Sequence, residues 1–394
     1  MLEFKLYLIK GFTMSKMLYA LLLALFFTIS PLSADEKTQK IQVALLLDTS
    51  NSMDGLIDQA KTRLWDIVNT LSTLKYQGKT PQIEISLFEY GNNSLSVESN
   101  YIRQVTPMTS DLDLISEMLF GLRTNGGSEY CGAVIQSAAT KIDWSTDKND
   151  IHLIYIAGNE EFTQGKIPYQ EAIATALSKD IFVNTIYCDN NSRNGKPSDD
   201  PISRTWKDGA KLGQGKYFSI NSDRKVRQIA TPFDDQISAK NSLLNKTYMG
   251  YGHEGSSKLE AQSVQDSNAF SISKEVAVSR SVSKANSKVY DNASWDLVDR
   301  YTKDKEIVKK LEKKDLPAEL QTKSKEEIQS IIEAKKIERE TLQKEINALA
   351  KQRQAYIEDE AKKTQKDGAG DDLGKAINES IIGFAKAKNY NVEK

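Results

Sequence analysis

Three oxygen-bearing side chains, Asp48, Ser50 and Ser52, alternate within V-A-L-L-L-D-T-S-N-S-M at residues 43–53. Alternation along a tight turn lets their oxygens converge while Thr49 and Asn51 face elsewhere. Hard divalent cations bind such groups; Mg2+ takes about six oxygens at roughly 2.1 Å and keeps several waters, which suits a partly open site with few carboxylates. Asp and Ser are also ordinary helix-capping residues, so the motif alone leaves a capping role and a cation role both open. Catalytic chemistry has less to work with. The histidines are His152, inside an apolar run, and His253, in a glycine-rich stretch with no evident partner. Neither Cys131 nor Cys188 has a nearby histidine in a nucleophile arrangement. The sequence therefore points away from an enzyme.

The elements that must hold the motif are legible from periodicity. Residues 41–47 form an unbroken apolar run, expected for a strand buried on both faces, and residues 54–74 have helical spacing. Residues 83–90 and an extended segment around 97–105 predict a hairpin whose second member lies at the sheet edge, with Gly91-Asn92-Asn93 as its turn. Helices follow over 111–122 and 132–144, then strand 151–157, helix 169–178, strand 181–188, a helix through 206–212 and strand 216–220. This order predicts an α/β fold with a doubly wound, mostly parallel sheet and one antiparallel edge strand. Asp48, Ser50 and Ser52 then stand at the carboxyl end of the first strand, the edge where open α/β sheets bind ligands.

Residues 39–245 resemble the von Willebrand factor type A domain. The resemblance rests on D-T-S-N-S after the first strand, the G-G-S loop before the helix at Gly132, and the element order. The segments I-A-G-N-E-E-F and W-K-D-G-A-K-L-G-Q-G-K-Y-F-S-I are similar to those of exported bacterial members. The family's metal-ion-dependent adhesion site implies Asp48, Ser50 and Ser52 as ligands of a divalent cation, with Mg2+ the expected ion. It implies Ser128 in place of the usual Thr, with Thr124 as a second candidate. The family's Asp after the fourth strand falls within Ala157-Gly158-Asn159, and Gly158 brings no carboxylate. Glu160, Glu161 or Glu129 could supply that oxygen, or each could be a solvated loop residue. Gly126 and Gly127 serve either a close backbone approach or a plain turn, and loop 189–200 lies at the same edge.

The chain of 394 residues is close to charge balance, at a formal −1, which argues against a nucleic-acid partner. Lys5, Lys10 and Lys16 precede the apolar run 17–29, and Leu32-Ser33-Ala34 offers a cleavage point, so residues 1–34 read as a secretory signal peptide with Met14 as an alternative start. An uncleaved anchor is the competing reading. Export would put Cys131 and Cys188 in an oxidising compartment, either as a disulfide or as two separate buried thiols. Residues 246–293 are expected to be a Gly/Ser-rich linker packed on the first domain. Residues 294–394 are helical in composition: Ser294 caps a helix through Leu311, Leu316-Pro317 interrupts, and Ser324 with Glu327 forms a capping box for a helix over 325–363. That helix suits a spacer, a coiled-coil surface or a folded-back hairpin, and Lys335, Arg339 and Arg353 fall on its apolar seam. A short tail follows Asp367-Gly368-Ala369-Gly370.

These observations predict an exported binding protein, periplasmic or extracellular and envelope-associated. It would recognise a protein or peptide at the cation site and keep no stable membrane span after cleavage. The alternative is a metal-independent envelope scaffold that self-associates through its carboxyl-terminal helices.

Overall fold

The computed structural model describes residues 38–189, 199–364 and 373–393. The segment expected to be a signal peptide, most of loop 189–200 and the Asp367–Gly370 break lie outside those residues. The described strands are β1 (Lys40–Asp48), β2 (Leu74–Lys75), β3 (Gln82–Tyr90), β4 (Ile102–Thr109), β5 (Ile151–Gly158), β6 (Ile181–Cys188), β7 (Gln214–Ile220) and β8 (Asn391–Val392). Six of them make one sheet in the order β4-β3-β1-β5-β6-β7. Only β4 runs antiparallel, paired with β3 at the edge.

The apolar run of β1 explains its central place. Val43, Leu45 and Leu47 face one core and Ala44 and Leu46 the other, so both faces of the strand are buried. A fully buried side chain of this size contributes about 1.5–3 kcal/mol, which makes β1 costly to place at an edge. The chain leaves β1 toward β3 and returns on its other side as β5, creating a switch in winding direction beside Asp48.

Helices α1 (Asp54–Ser72), α2 (Leu112–Gly121), α3 (Cys131–Lys141), α4 (Tyr169–Leu177) and α5 (Pro201–Leu212) follow the strands. Val134, Ile173 and Trp206 from α3, α4 and α5 cover one face. Leu64, Ile67 and Ile115 from α1 and α2 cover the other. The edge strand begins at Ile102 rather than near Val97, because Asn100 and Tyr101 both adopt left-handed backbone, φ 56° and 55°, which no extended strand accommodates. Val97–Ser99 is a single 3-10 turn.

The carboxyl-terminal half departs most from the sequence reading. After α6 (Asp234–Asn245), the expected linker holds two helices, α7 (Gly255–Ile272) and α8 (Lys274–Ala285), packed on α1 and α2. Their buried positions are largely polar: Gln262, Gln265, Ser279, Arg280, Ser283 and Lys284. That is why apolar periodicity does not reveal them. Arg280 bonds Asp113 and Asp266, each at 2.6 Å, while its guanidinium lies 4.7 Å from the Trp65 ring centre; Lys284 bonds Asp266 at 2.8 Å.

The helix expected from Ser294 instead breaks into α9 (Leu297–Lys303) and α10 (Ile307–Lys310), with Asp296 as the cap through its bond from the Asp299 amide. The Ser324–Glu327 capping box forms as expected. It opens α11 (Lys325–Thr364), one unbroken helix of 40 residues, which corrects the hairpin reading. Its seam is covered within the chain rather than left free for a coiled coil: Ile328 and Ile332 pack with Leu297 and Val298, and Arg339 bonds Asp296 and Asp299. Arg353 bonds Asp234 at 3.0 Å.

The expected tail is a further helix, α12 (Leu373–Ala387). Its Ile377 and Ile381 are in the core beside α1, Ser380 donates to Asn184 at 2.7 Å, and β8 pairs with β2. Helix α12 thus adds to the covering of the six-stranded sheet. No described helix is long and apolar enough to cross a membrane.

Candidate functional site

Asp48 ends β1 completely buried, and its Oδ1 accepts from the Ser50 amide at 2.7 Å, which tightens the turn. The Ser50 and Ser52 hydroxyls lie 3.3 Å apart, and Ser52 reaches Asn159 after β5 at 3.2 Å. The alternating oxygens therefore do converge, and Ser52 is exposed at the rim while Asp48 and Ser50 are not. Asp48 Oδ2 is buried with no hydrogen-bond partner.

Backbone bonds fix the neighbouring loops to this turn. The Asn51 amide donates to the Gly126 carbonyl and the Asn125 amide to Thr49, both at 2.9 Å. The Asn93 amide donates to the Asn125 carbonyl at 3.0 Å, and Ser128 forms a bridge with Gly91. Gly126 has φ +75°, and a Cβ there would stand 2.1 Å from Asn93 Cγ, so both positive φ and close approach demand glycine. The Gly91-Asn92-Asn93 turn is hence part of the site. Its signal was its position, since β3 is parallel to β1 and must end at the same edge.

The candidate acids separate clearly. Glu129 is buried and its carboxyl lies against Asp48 and Ser50. Burial raises the pKa of both acids, and the Asp48 charge raises Glu129 further, so a proton at the pair resides on Glu129. Glu160 is half-buried and adds a lesser push on Asp48, while its carbonyl accepts from the Trp206 indole at 2.8 Å. Glu161 is exposed, and Thr124 is engaged with Asp54. Ser128 reaches the site region by its backbone bridge.

Gly158 has a steric reason. A Cβ there would stand 2.5 Å from the Tyr90 hydroxyl and 3.1 Å from Asp48 Oδ2. Tyr90, which donates to the Ala157 carbonyl at 3.0 Å, fills the space a side chain at 158 would need. The sequence reading did not single out Tyr90 or Asn159.

No group of three or more His, Cys, Asp or Glu that could hold a metal occurs among the described residues. The donors present are the Glu129 carboxyl, the Asp48 carboxylate with its orphaned Oδ2, and the Ser50 and Ser52 hydroxyls. That composition fits a small hard cation that retains waters, with Asp48, Ser50, Ser52 and Glu129 as the residues that would hold it.

Cys131 and Cys188 are both free and buried, so the disulfide reading is corrected to two separate thiols. Burial pushes both thiols well above their ordinary range, which leaves them protonated. His152 sits near the amino end of β5, the opposite sheet edge, with one ring nitrogen 2.9 Å from the Ser145 hydroxyl.

The strand order, the antiparallel edge and the D-T-S-N-S turn at the carboxyl end of β1 make this a von Willebrand factor type A-like α/β fold. No family model and no curated protein matches the chain. Among solved structures it is similar to an aerotolerance-related membrane protein from Bacteroides fragilis, at 19% identity and TM-score 0.31, covering 46% of this chain and 93% of that one. It is also similar to the SpRpn10 VWA domain, at 14% identity and TM-score 0.32, covering 46% and 87%. A third is proximal thread matrix protein 1 from the mussel byssus, which has a zinc-occupied MIDAS motif, at 9% identity and TM-score 0.35, covering 48% and 43%.

Proposed function

We propose that this chain is an exported, non-catalytic binding module that captures a protein or peptide at the carboxyl edge of its sheet, through a divalent cation, Mg2+ foremost. The observation that carries the reading is the convergence of Asp48, Ser50 and Ser52 from the loop after β1 with Asn159 from the loop after β5, the buried acid beneath and Ser52 exposed above. A partner oxygen arriving over Ser52 would complete the cation's coordination. Ser128 and Glu160 flank this position. The basic and apolar residues before Asp35 support export to the cell envelope.

The test is capture from envelope extract by the full chain, in Mg2+ and in chelator, beside an Asp48→Ala variant. Partners retained only by the native chain in Mg2+ agree with the proposal. An identical set in every arm contradicts it.

A metal-free scaffold is the second reading, and the closed Gly158 position favours it, because the carboxylate expected there is missing. Sedimentation of the full chain in chelator separates the two. Concentration-dependent assembly unchanged by Asp48→Ala supports the scaffold, and a monomer throughout removes it.

A further inference from the structure

We infer that Glu129 is itself a cation ligand, replacing from the second loop the acid that position 158 cannot carry, and that the site loads its cation before any partner arrives. This inference rests on the cation reading above and narrows it.

Glu129 is 3% exposed although it lies on a loop, and among the described residues no Lys, Arg or His is bonded to it or to Asp48. Gly91 sits between the two acids: a Cβ there would meet Glu129 Cγ at 2.8 Å and Asp48 Oδ1 at 2.9 Å. Only a residue without a side chain lets both approach from adjoining loops. On the far side, Gly158 stands beside Asp48 Oδ2, the buried oxygen left without a partner. Ser50 is within bonding reach of both acids. The result is a buried donor set of two carboxylates and a hydroxyl, with Tyr90 beside it and the exposed Ser52 at its rim.

Two carboxylates within the chain balance the charge of a divalent ion without help from outside. The geometry therefore points to a cation held by the chain itself, with the exposed Ser52 side left for a partner's oxygen.

Calorimetric titration of the full chain, free of partner, with Mn2+ and with Mg2+ tests this. One ion per chain is expected, with affinity at least about tenfold weaker in Glu129→Gln and partly restored in Glu129→Asp. Thermal unfolding of each variant in chelator shows whether it is folded, and Ser52→Thr supplies a second variant that keeps both acids. Native-like affinity in Glu129→Gln alongside loss in Asp48→Asn would overturn the role of Glu129 and leave the cation reading standing. No binding by the native chain would overturn both.

Discussion

Two clusters of acids within the protein are treated oppositely. Around the carboxyl-terminal helices, Asp113 of α2 and Asp266 face Arg280, Asp266 also faces Lys284, Asp296 and Asp299 face Arg339, and Asp234 faces Arg353. At the sheet edge, Asp48 and Glu129 face each other. The first group has its countercharge built into the fold, tying α8 to α2 and α7 and tying α11 to α6 and α9. The second has the Ser50 amide and hydroxyl and, at Asp48 Oδ2, an oxygen without a hydrogen-bond partner. The difference separates buried charge that positions helices from buried charge kept available for something outside the chain.

The sharpest way to break the comparison is to remove one partner from each region. Arg280→Met leaves Asp113 without a countercharge and Asp266 with Lys284 alone, and is expected to cost about 3–5 kcal/mol in denaturant unfolding. Glu129→Gln removes one of two mutually repelling acids and should leave cation-free stability equal or higher. If both lower stability alike, the two regions are not different in kind.

A smaller effect is expected from restoring the acid at position 158. Gly158→Asp places atoms on the Tyr90 hydroxyl and should cost about 1–3 kcal/mol. Adding Tyr90→Phe should return part of that loss, and a double-mutant cycle reads the coupling directly. Additive losses would mean that Tyr90 does not occupy the space.

The acid pair also predicts a pH slope. In chelator, folded Glu129 keeps a proton that the unfolded chain releases above about pH 4.3. The unfolded state then binds fewer protons, so stability falls as pH rises from there toward the raised folded value, by up to about 1.4 kcal/mol per unit. Glu129→Gln should flatten the slope between pH 5 and 7 in urea titrations. The smallest effect concerns α12: Ser380→Ala leaves buried Asn184 short of a donor and should cost about 1 kcal/mol, which an unattached tail would not.

What the sequence reveals follows the range of the interactions. The V-A-L-L-L run marks β1 because burial on both faces demands an apolar residue at every position. Ser324 and Glu327 mark a helix start because both bonds close within three residues. Helix α7 was illegible because Gln262 and Gln265 become core residues only through Tyr290 and Ser116, which are distant in the chain. For α12 the spacing of Leu373, Ile377 and Ile381 is visible, but its contacts with Gln59 and Asn184 are not. At the site, the alternation of Asp48, Ser50 and Ser52 predicted convergence. Which of Glu129, Glu160 and Glu161 meets Asp48 depended on the Gly91 and Gly158 approaches, which residue types alone do not disclose.

The central claim is that the uncompensated acids at the sheet edge are a cation site. Equilibrium unfolding of the full chain in saturating Mn2+ and in chelator tests it most directly, because an ion bound only to the folded state at a hundred times its Kd adds about 2.7 kcal/mol. The account predicts that gain in the native chain and its loss in Asp48→Asn. Superimposable curves with and without Mn2+ would contradict it.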